Sequence, residues 1–234
     1  MNFFRKGSLP KEEHFADLID SSLNIIDEGF SKSVKEGLKI APIGDSEKVI
    51  SFFRNIEDKK PVWSVALDKK SGHLNIINQK EEAVVSLSLD GKIGIGTDQP
   101  QYKLDVDGVL AYKAKMGNLK TGKVPADGKW HPIISNLEGC QALEVMAGVG
   151  KRGSGNYALA HVIALNTFFS MRKIDVRQAY YCRMCNRLKF RWTGGEKSYN
   201  LEMRSRMSYG GDVKIKYHIS KLWLDTFMDE CISD

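Results

Sequence analysis

Between Ile40 and Val106 apolar side chains recur at every second position, and each such run is stopped within a few residues by a turn signal. The runs cover 49–54, 63–67, 74–77, 83–89 and 93–95. The interruptions fall at 42–45, 58–61, 70–72, 78–82 and at Asp90-Gly91. A period of two places successive side chains on opposite faces, which suits a strand and excludes an amphipathic helix. Asp and Gly at the breaks tolerate the positive φ that tight hairpin turns need. Residues 41–108 are therefore expected to form a β meander or β shaft of short strands. Each strand offers few residues to bury on one face, whereas copies from several chains wrapped together would bury far more, so a homotrimer is expected through this region.

Two further segments flank the shaft. Upstream, Ser8-Leu9-Pro10 reads as a helix entry, since proline is tolerated in a first turn and Glu12 and Glu13 complement the positive helix end. Phe15, Leu18, Ile19, Leu23, Ile26 and Phe30 then recur mostly three or four apart, which draws one apolar stripe along a helix to about Glu28, with Gly29 as a stop. Residues 1–40 are thus expected to be a helical anchor or trimerisation segment, its stripe covered by other copies or by the chain's own sheet. Downstream, 109–234 carries runs at 142–147, 157–165, 189–192, 199–207, 213–219 and 222–224. Gly148 to Gly155, Thr193 to Glu196 and Gly210-Gly211-Asp212 read as hairpin closures, while 116–123 reads as loop and 125–132 as a turn-rich entry. Six or more antiparallel strands at this density predict a β-sandwich. The expected fold class is mainly β: an N-terminal amphipathic helix, a short-stranded shaft and a C-terminal antiparallel, jelly-roll-like sandwich that recognises or docks.

At the seam between shaft and sandwich stands Ile93-Gly94-Ile95-Gly96-Thr97-Asp98-Gln99-Pro100-Gln101-Tyr102-Lys103-Leu104-Asp105-Val106-Asp107-Gly108. This segment resembles the GIGT-x-x-P-x-x-KLDV-x-G stretch of phage tail-fibre and fibre-like bacterial surface proteins. The N-terminal GSLPKEEHFADLIDSSLNIIDEGF resembles segments of proteins from phage-tail-like contractile particles. Those resemblances imply a structural and adhesive component of such a particle, with tail, baseplate or cap proteins as partners. A purely architectural baseplate, cap or adaptor subunit is the alternative. Some fibres with this segment end in a self-cleaving chaperone, but its Ser and Lys pattern has no match here, so autocleavage is not implied.

Charge separates the two halves. Residues 1–108 hold 15 Lys and Arg against 18 Asp and Glu, and residues 109–234 hold 20 against 11, so the net +6 belongs to the C-terminal half. Alternation gathers that charge: Arg187, Lys189 and Arg191 share one face, as do Arg204 and Arg206, and Lys214, Lys216 and His218, with Lys151 and Arg152 at a glycine-rich tip. If the three strands are neighbours in one sheet, they form a single cationic patch for a cell-surface glycan or another polyanion. The ordinary polar outer face of a sandwich accounts for the same pattern. Tyr180 and Tyr181 beside Arg183 could stack on sugar rings.

Other chemistries find no anchor. Gly148-Val149-Gly150-Lys151-Arg152-Gly153-Ser154-Gly155 lacks the G-x-x-x-x-G-K-[ST] order of a phosphate loop, and a strand follows it. Cys182-Arg183-Met184-Cys185 has zinc-knuckle spacing, but its flanks read as continuous strand, on which the two cysteines face opposite ways, and no second pair follows. Cys140 and Cys231 stand apart, and His14, His73, His131, His161 and His218 share no ligand spacing. No nucleophile elbow or cysteine-protease signature is present. A carboxylate pair would have to come from Glu138, Glu144, Asp175, Glu196 and Glu202, which show no distinctive spacing. No catalytic residue, metal or cofactor is therefore expected, and without a helix-turn-helix, RRM or zinc-finger signature nucleic acid is not the expected partner. No apolar run reaches the roughly 18 residues of a membrane span, and the first residues lack a signal core. A cytoplasmic product that leaves within a particle is the expectation.

Overall fold

The computed structural model describes residues 9, 11–20, 29–168, 171–181 and 184–232. It is mainly β and divides into two compact units, Met1–Ala111 and Tyr112–Asp234.

In the first unit α1 spans Glu12–Asp20, with both glutamates in its first turn. The remainder of the expected helix, 21–28, lies outside the described residues. The expectation that 1–40 is helical needs correction at its end, because β1 (Phe30–Ser33) and β2 (Gly37–Ile40) form an antiparallel hairpin. Gly37 at φ +67° and the Ser33 hydroxyl accepting from the Glu36 amide at 3.1 Å make the turn.

β3 (Lys48–Phe52), β4 (Trp63–Leu67), β5 (Leu74–Asn78), β6 (Ala83–Leu87), β7 (Ile93–Ile95) and β8 (Leu104–Val106) then form one six-stranded sheet in chain order. β6 stops two residues earlier than its apolar pattern, because the Ser88 hydroxyl turns inward to Asp90 and the Lys92 backbone. All pairs are antiparallel except β7 with β8. Parallel neighbours usually need a crossover of a dozen or more residues. Here the loop 96–103 achieves the return because it packs flat on Gly94: a Cβ there would collide with the Thr97 carbonyl, and Pro100 is buried. The glycine of the family-like segment is thus a close-approach residue.

Register places Ile50, Phe52, Trp63, Val65, Leu67, Leu74, Ile76, Val85, Leu87, Ile93, Ile95, Leu104 and Val106 on one face of this sheet. The opposite face carries Ile77 and otherwise mostly small or polar side chains, including Ser51, Ser64, Ala66, Asn75, Ser86, Gly94 and Asp105. Among the described residues of this unit only Ser64, Ala66, Ser86, Gly94 and Pro100 are buried. Phe52 and Leu104 are each 54% exposed and Trp63 42%. The sheet has an apolar face and, among the described residues, no core beneath it.

The second unit holds β9 (Lys120–Pro125), β10 (His131–Leu137), β11 (Cys140–Gly150), β12 (Tyr157–Thr167), β13 (Lys173–Tyr180), β14 (Leu188–Gly194), β15 (Tyr199–Ser205) and β16 (Lys214–Lys221). They form a five-stranded sheet, β13-β12-β11-β16-β9, and a three-stranded sheet, β10-β15-β14, both antiparallel. The first strand pairs with the last, and the second with the last but one. Leu143, Val145, Val162 and Ile219 of one sheet and Ile133, Leu188, Leu201 and Met203 of the other are at most 1% exposed and belong to one core. The Tyr217 hydroxyl donates to the Ile133 carbonyl at 3.1 Å, which ties the sheets.

Four expectations change here. Residues 120–125 are strand, not loop; Gly122 sits where a Cβ would meet the Tyr217 ring. The turn-rich 125–132 runs into β10. Residues 222–224 are not strand, since β16 ends at Lys221 and the chain leaves the sheet after the Leu222 amide bonds to the Ala142 carbonyl. Gly210-Gly211-Asp212 does not close a hairpin but carries the chain from β15 in one sheet to β16 in the other.

Candidate functional site

The expected single cationic patch is divided between two sheets. β14 and β15 are neighbours in the three-stranded sheet, but β16 lies between β11 and β9 in the other. Arg187, Lys189, Arg191, Arg204 and Arg206 therefore belong to one layer, and Lys214 and Lys216 to the opposite one. The physical reason is that alternation fixes which way a side chain points within its strand, while the sheet a strand joins depends on distant partners.

On the three-stranded sheet Lys189 stands directly across from Arg204, and Arg191 across from Glu202. Arg191 donates from Nε and Nη2 to Glu202 Oε2 at 2.8 and 2.7 Å. The Arg191 and Arg204 guanidiniums lie 4.3 and 4.7 Å from the ring centre of Trp130, which both engage. Trp130 is held by its loop: Asp127 Oδ1 accepts from the Lys129 amide at 2.9 Å and shares a hydrogen bond of 2.8 Å with His131 Nε2, and the Gly128 amide donates to Ser205 Oγ at 3.1 Å. The contact with His131, chiefly, keeps the Asp127 carboxyl below its ordinary range. Arg187 turns away to stack on Tyr180, 5.3 Å from its centre. Lys189 and Arg206 are exposed and form no ion pair among the described residues. Trp130 and Glu202 organise this face, and neither was legible as its organiser, because Trp130 lies in a turn-rich segment without period.

Between Tyr180 and Leu188 the expected continuous strand is broken. Met184–Asn186 is a 3-10 turn, and Cys182 and Arg183 lie outside the described residues. The Gln178 side chain brackets Leu188, accepting from its amide at 2.9 Å and donating to its carbonyl at 3.2 Å, and buried Asn186 donates to the Tyr181 carbonyl at 2.7 Å. These bonds carry the chain from one sheet to the other.

On the five-stranded sheet Lys214 and Lys216 are exposed, beside the β11–β12 turn with exposed Lys151 and Arg152. Glu144 of the same outer face binds Lys115 Nζ and His161 Nε2, each at 2.9 Å, and Lys115 first, then His161, lowers its carboxyl. Asp175 stands on that face with Ile163 between it and Glu144. Glu202 is across the unit, and Glu138 and Glu196 are exposed in loops. A carboxylate kept ionised by a lysine and a histidine is a poor proton donor. Among the described residues no three His, Cys, Asp or Glu are grouped to hold a metal ion, and no helix is long and apolar enough to cross a membrane.

No protein-family model matches the chain, and no curated protein matches it.

Proposed function

We propose that this chain is a non-enzymatic, structural and adhesive component, tail-fibre-like, of a phage tail or phage-tail-like contractile injection particle. The reading makes the first unit the anchor and shaft. It makes the second a jelly-roll-like sandwich that meets a cell surface, and the nested pairing of first with last strand supports that form. The observation that carries the proposal is the apolar face of the six-stranded sheet, thirteen side chains across six strands with no layer beneath it among the described residues. A face of this kind is stable when copies cover one another, and a homotrimer is the proposed arrangement. The resemblance of the segment around Gly94 to fibre proteins supplies the particle.

Sedimentation of the full chain at micromolar concentration tests this: a species of three times 26.3 kDa is expected, and Trp63→Asp with Leu87→Asp should dissociate it. A wild-type monomer overturns the proposal. The adhesive part requires that the full chain bind whole cells and release them at high salt.

One observation favours the alternative, an architectural baseplate, cap or adaptor subunit without receptor binding. Arg191 and Arg204 of the three-stranded sheet are already engaged by Glu202 and Trp130, as in a finished surface. Co-purification with particle proteins and no binding to cells would select it.

A further inference from the structure

We infer that the outer face of the five-stranded sheet carries a glycine-floored groove for an acidic carbohydrate, a sugar chain bearing carboxylate or phosphate groups. The inference rests on the adhesive reading and gives it a site other than the arginine face.

Strand β11 points Ala142, Glu144, Met146, Gly148 and Gly150 outward, between buried neighbours. The last two have no side chain. Gly148 stands opposite Leu159 on one side and Lys216 on the other, and Gly150 stands opposite Tyr157. The result is a trough of about 640 Å³, with Tyr157, Leu159 and Tyr181 on one bank and Lys214 and Lys216 on the other. It continues across Gly150 into a second concavity of about 920 Å³ that adds Lys123, Lys151 and one carboxylate, Asp212.

Packing accounts for Gly150, where a Cβ would run into the Tyr157 ring. It does not account for Gly148: a Cβ there would rest 3.5 Å from Leu159 Cδ1, an ordinary contact, and its φ is not positive. Glycine inside a strand lowers stability by roughly 0.5–1 kcal/mol relative to alanine. What glycine supplies at 148 is the open floor.

The cationic bank has the same character. Lys123 and Lys216 are directly opposite on adjacent strands, with Lys214 two residues along. Like charges so placed repel. Across the unit, in the comparable pair Lys189 and Arg204, the Arg204 guanidinium lies on the Trp130 ring, whereas Lys123, Lys214 and Lys216 form no ion pair or side-chain hydrogen bond among the described residues. Three unpaired ammonium groups face an apolar, aromatic bank in which Tyr181 is 61% and Leu159 56% exposed. A pyranose ring presents a C–H face to such a bank and its acid group to the lysines. A nucleic acid would need cations repeated along its backbone, and here they form one cluster.

The test titrates the full chain with tetragalacturonate, hyaluronan tetrasaccharide and a sialylated trisaccharide, with methyl-esterified tetragalacturonate and an oligothymidylate as comparators. At least one acidic sugar is expected to bind with Kd of ~1 mM or tighter. The matching neutral ester, Lys214→Ala with Lys216→Ala, and Gly148→Leu should each weaken it by about ten-fold, the loss of two or three modest contacts. Lys59→Ala with Lys80→Ala, a charge-matched double change in the other unit, should bind as wild type, and unchanged thermal unfolding shows that the variants fold. Absence of binding to every acidic sugar overturns the inference, as does tighter binding of the oligothymidylate or wild-type affinity in the lysine and glycine variants. Whole-cell binding that persists in those variants removes the groove and leaves adhesion. Acidic-sugar binding without cell binding does the reverse.

Discussion

The two units are written in the same local code and spend it differently. Both are runs of alternating strands with Gly and Asx turns. In the second unit two sheets face each other, so that Leu143, Val145, Leu201, Met203 and Ile219 are all but inaccessible. In the first a single sheet collects as regular an apolar face, on which no side chain is buried and Phe52, Trp63 and Leu104 are exposed. A face is not a core until a second layer covers it. The second unit carries its own second layer, while the first has none among the described residues.

The comparison breaks if the units do not respond separately. The largest effect is expected from Leu201→Ala, which empties a fully buried site between the sheets and should remove about 3 kcal/mol. Amide exchange should show the loss throughout β11, β12 and β16, with β3 to β8 unchanged; a loss shared by both units would contradict a separate core. Gly94→Val should follow at about 2 kcal/mol, because the new side chain meets the Thr97 backbone and must lift the loop 96–103. Exchange should quicken in β6, β7 and β8 and nowhere in the second unit, and protection retained there would show that the parallel return does not depend on the glycine.

Alkaline pH gives the finest separation. Burial pushes the Tyr199 and Tyr209 hydroxyls up to about 12 from an ordinary 10. Both are neutral in the folded unit and ionise earlier when it unfolds, so the stability they lend is complete below pH 10 and lost as pH rises toward 12. Tyrosinate absorbance and unfolding should therefore rise together for the second unit over that interval. Ionisation of both groups near pH 10 with the unit still folded would contradict their burial.

Much of the strand content was legible. β4 and β7 coincide with their apolar runs, and Thr193 to Glu196 does close the β14–β15 hairpin. The strands that escaped were β1, β2, β9, β10 and β13, and every one lies at the edge of its sheet. An edge strand packs against one neighbour and buries less, so β13 needs only Ile174 and Val176 among Lys173, Asp175, Arg177 and Gln178, and β9 tolerates Gly122 and Pro125. Weak burial writes a weak pattern. The candidate site was legible to a similar degree: that Lys189, Arg191, Lys214 and Lys216 point outward could be read from alternation, but Trp130, Gly148 and Tyr157 carry no periodic signal of a role.

The sequence by itself determined the alternation of side chains along the strands it marked, hairpin turns such as Thr193 to Glu196 and the basic character of the second half, because these depend on composition and on neighbours a few residues away. Only the tertiary structure decided that β16 lies between β9 and β11 rather than beside β15. It thereby split one apparent cationic patch into a face where Trp130 and Glu202 engage Arg191 and Arg204 and a groove where no acid pairs with the lysines among the described residues. Strand pairing is a contest among distant segments, settled by which arrangement closes the core, and the alternation within any one strand is the same whichever partner wins.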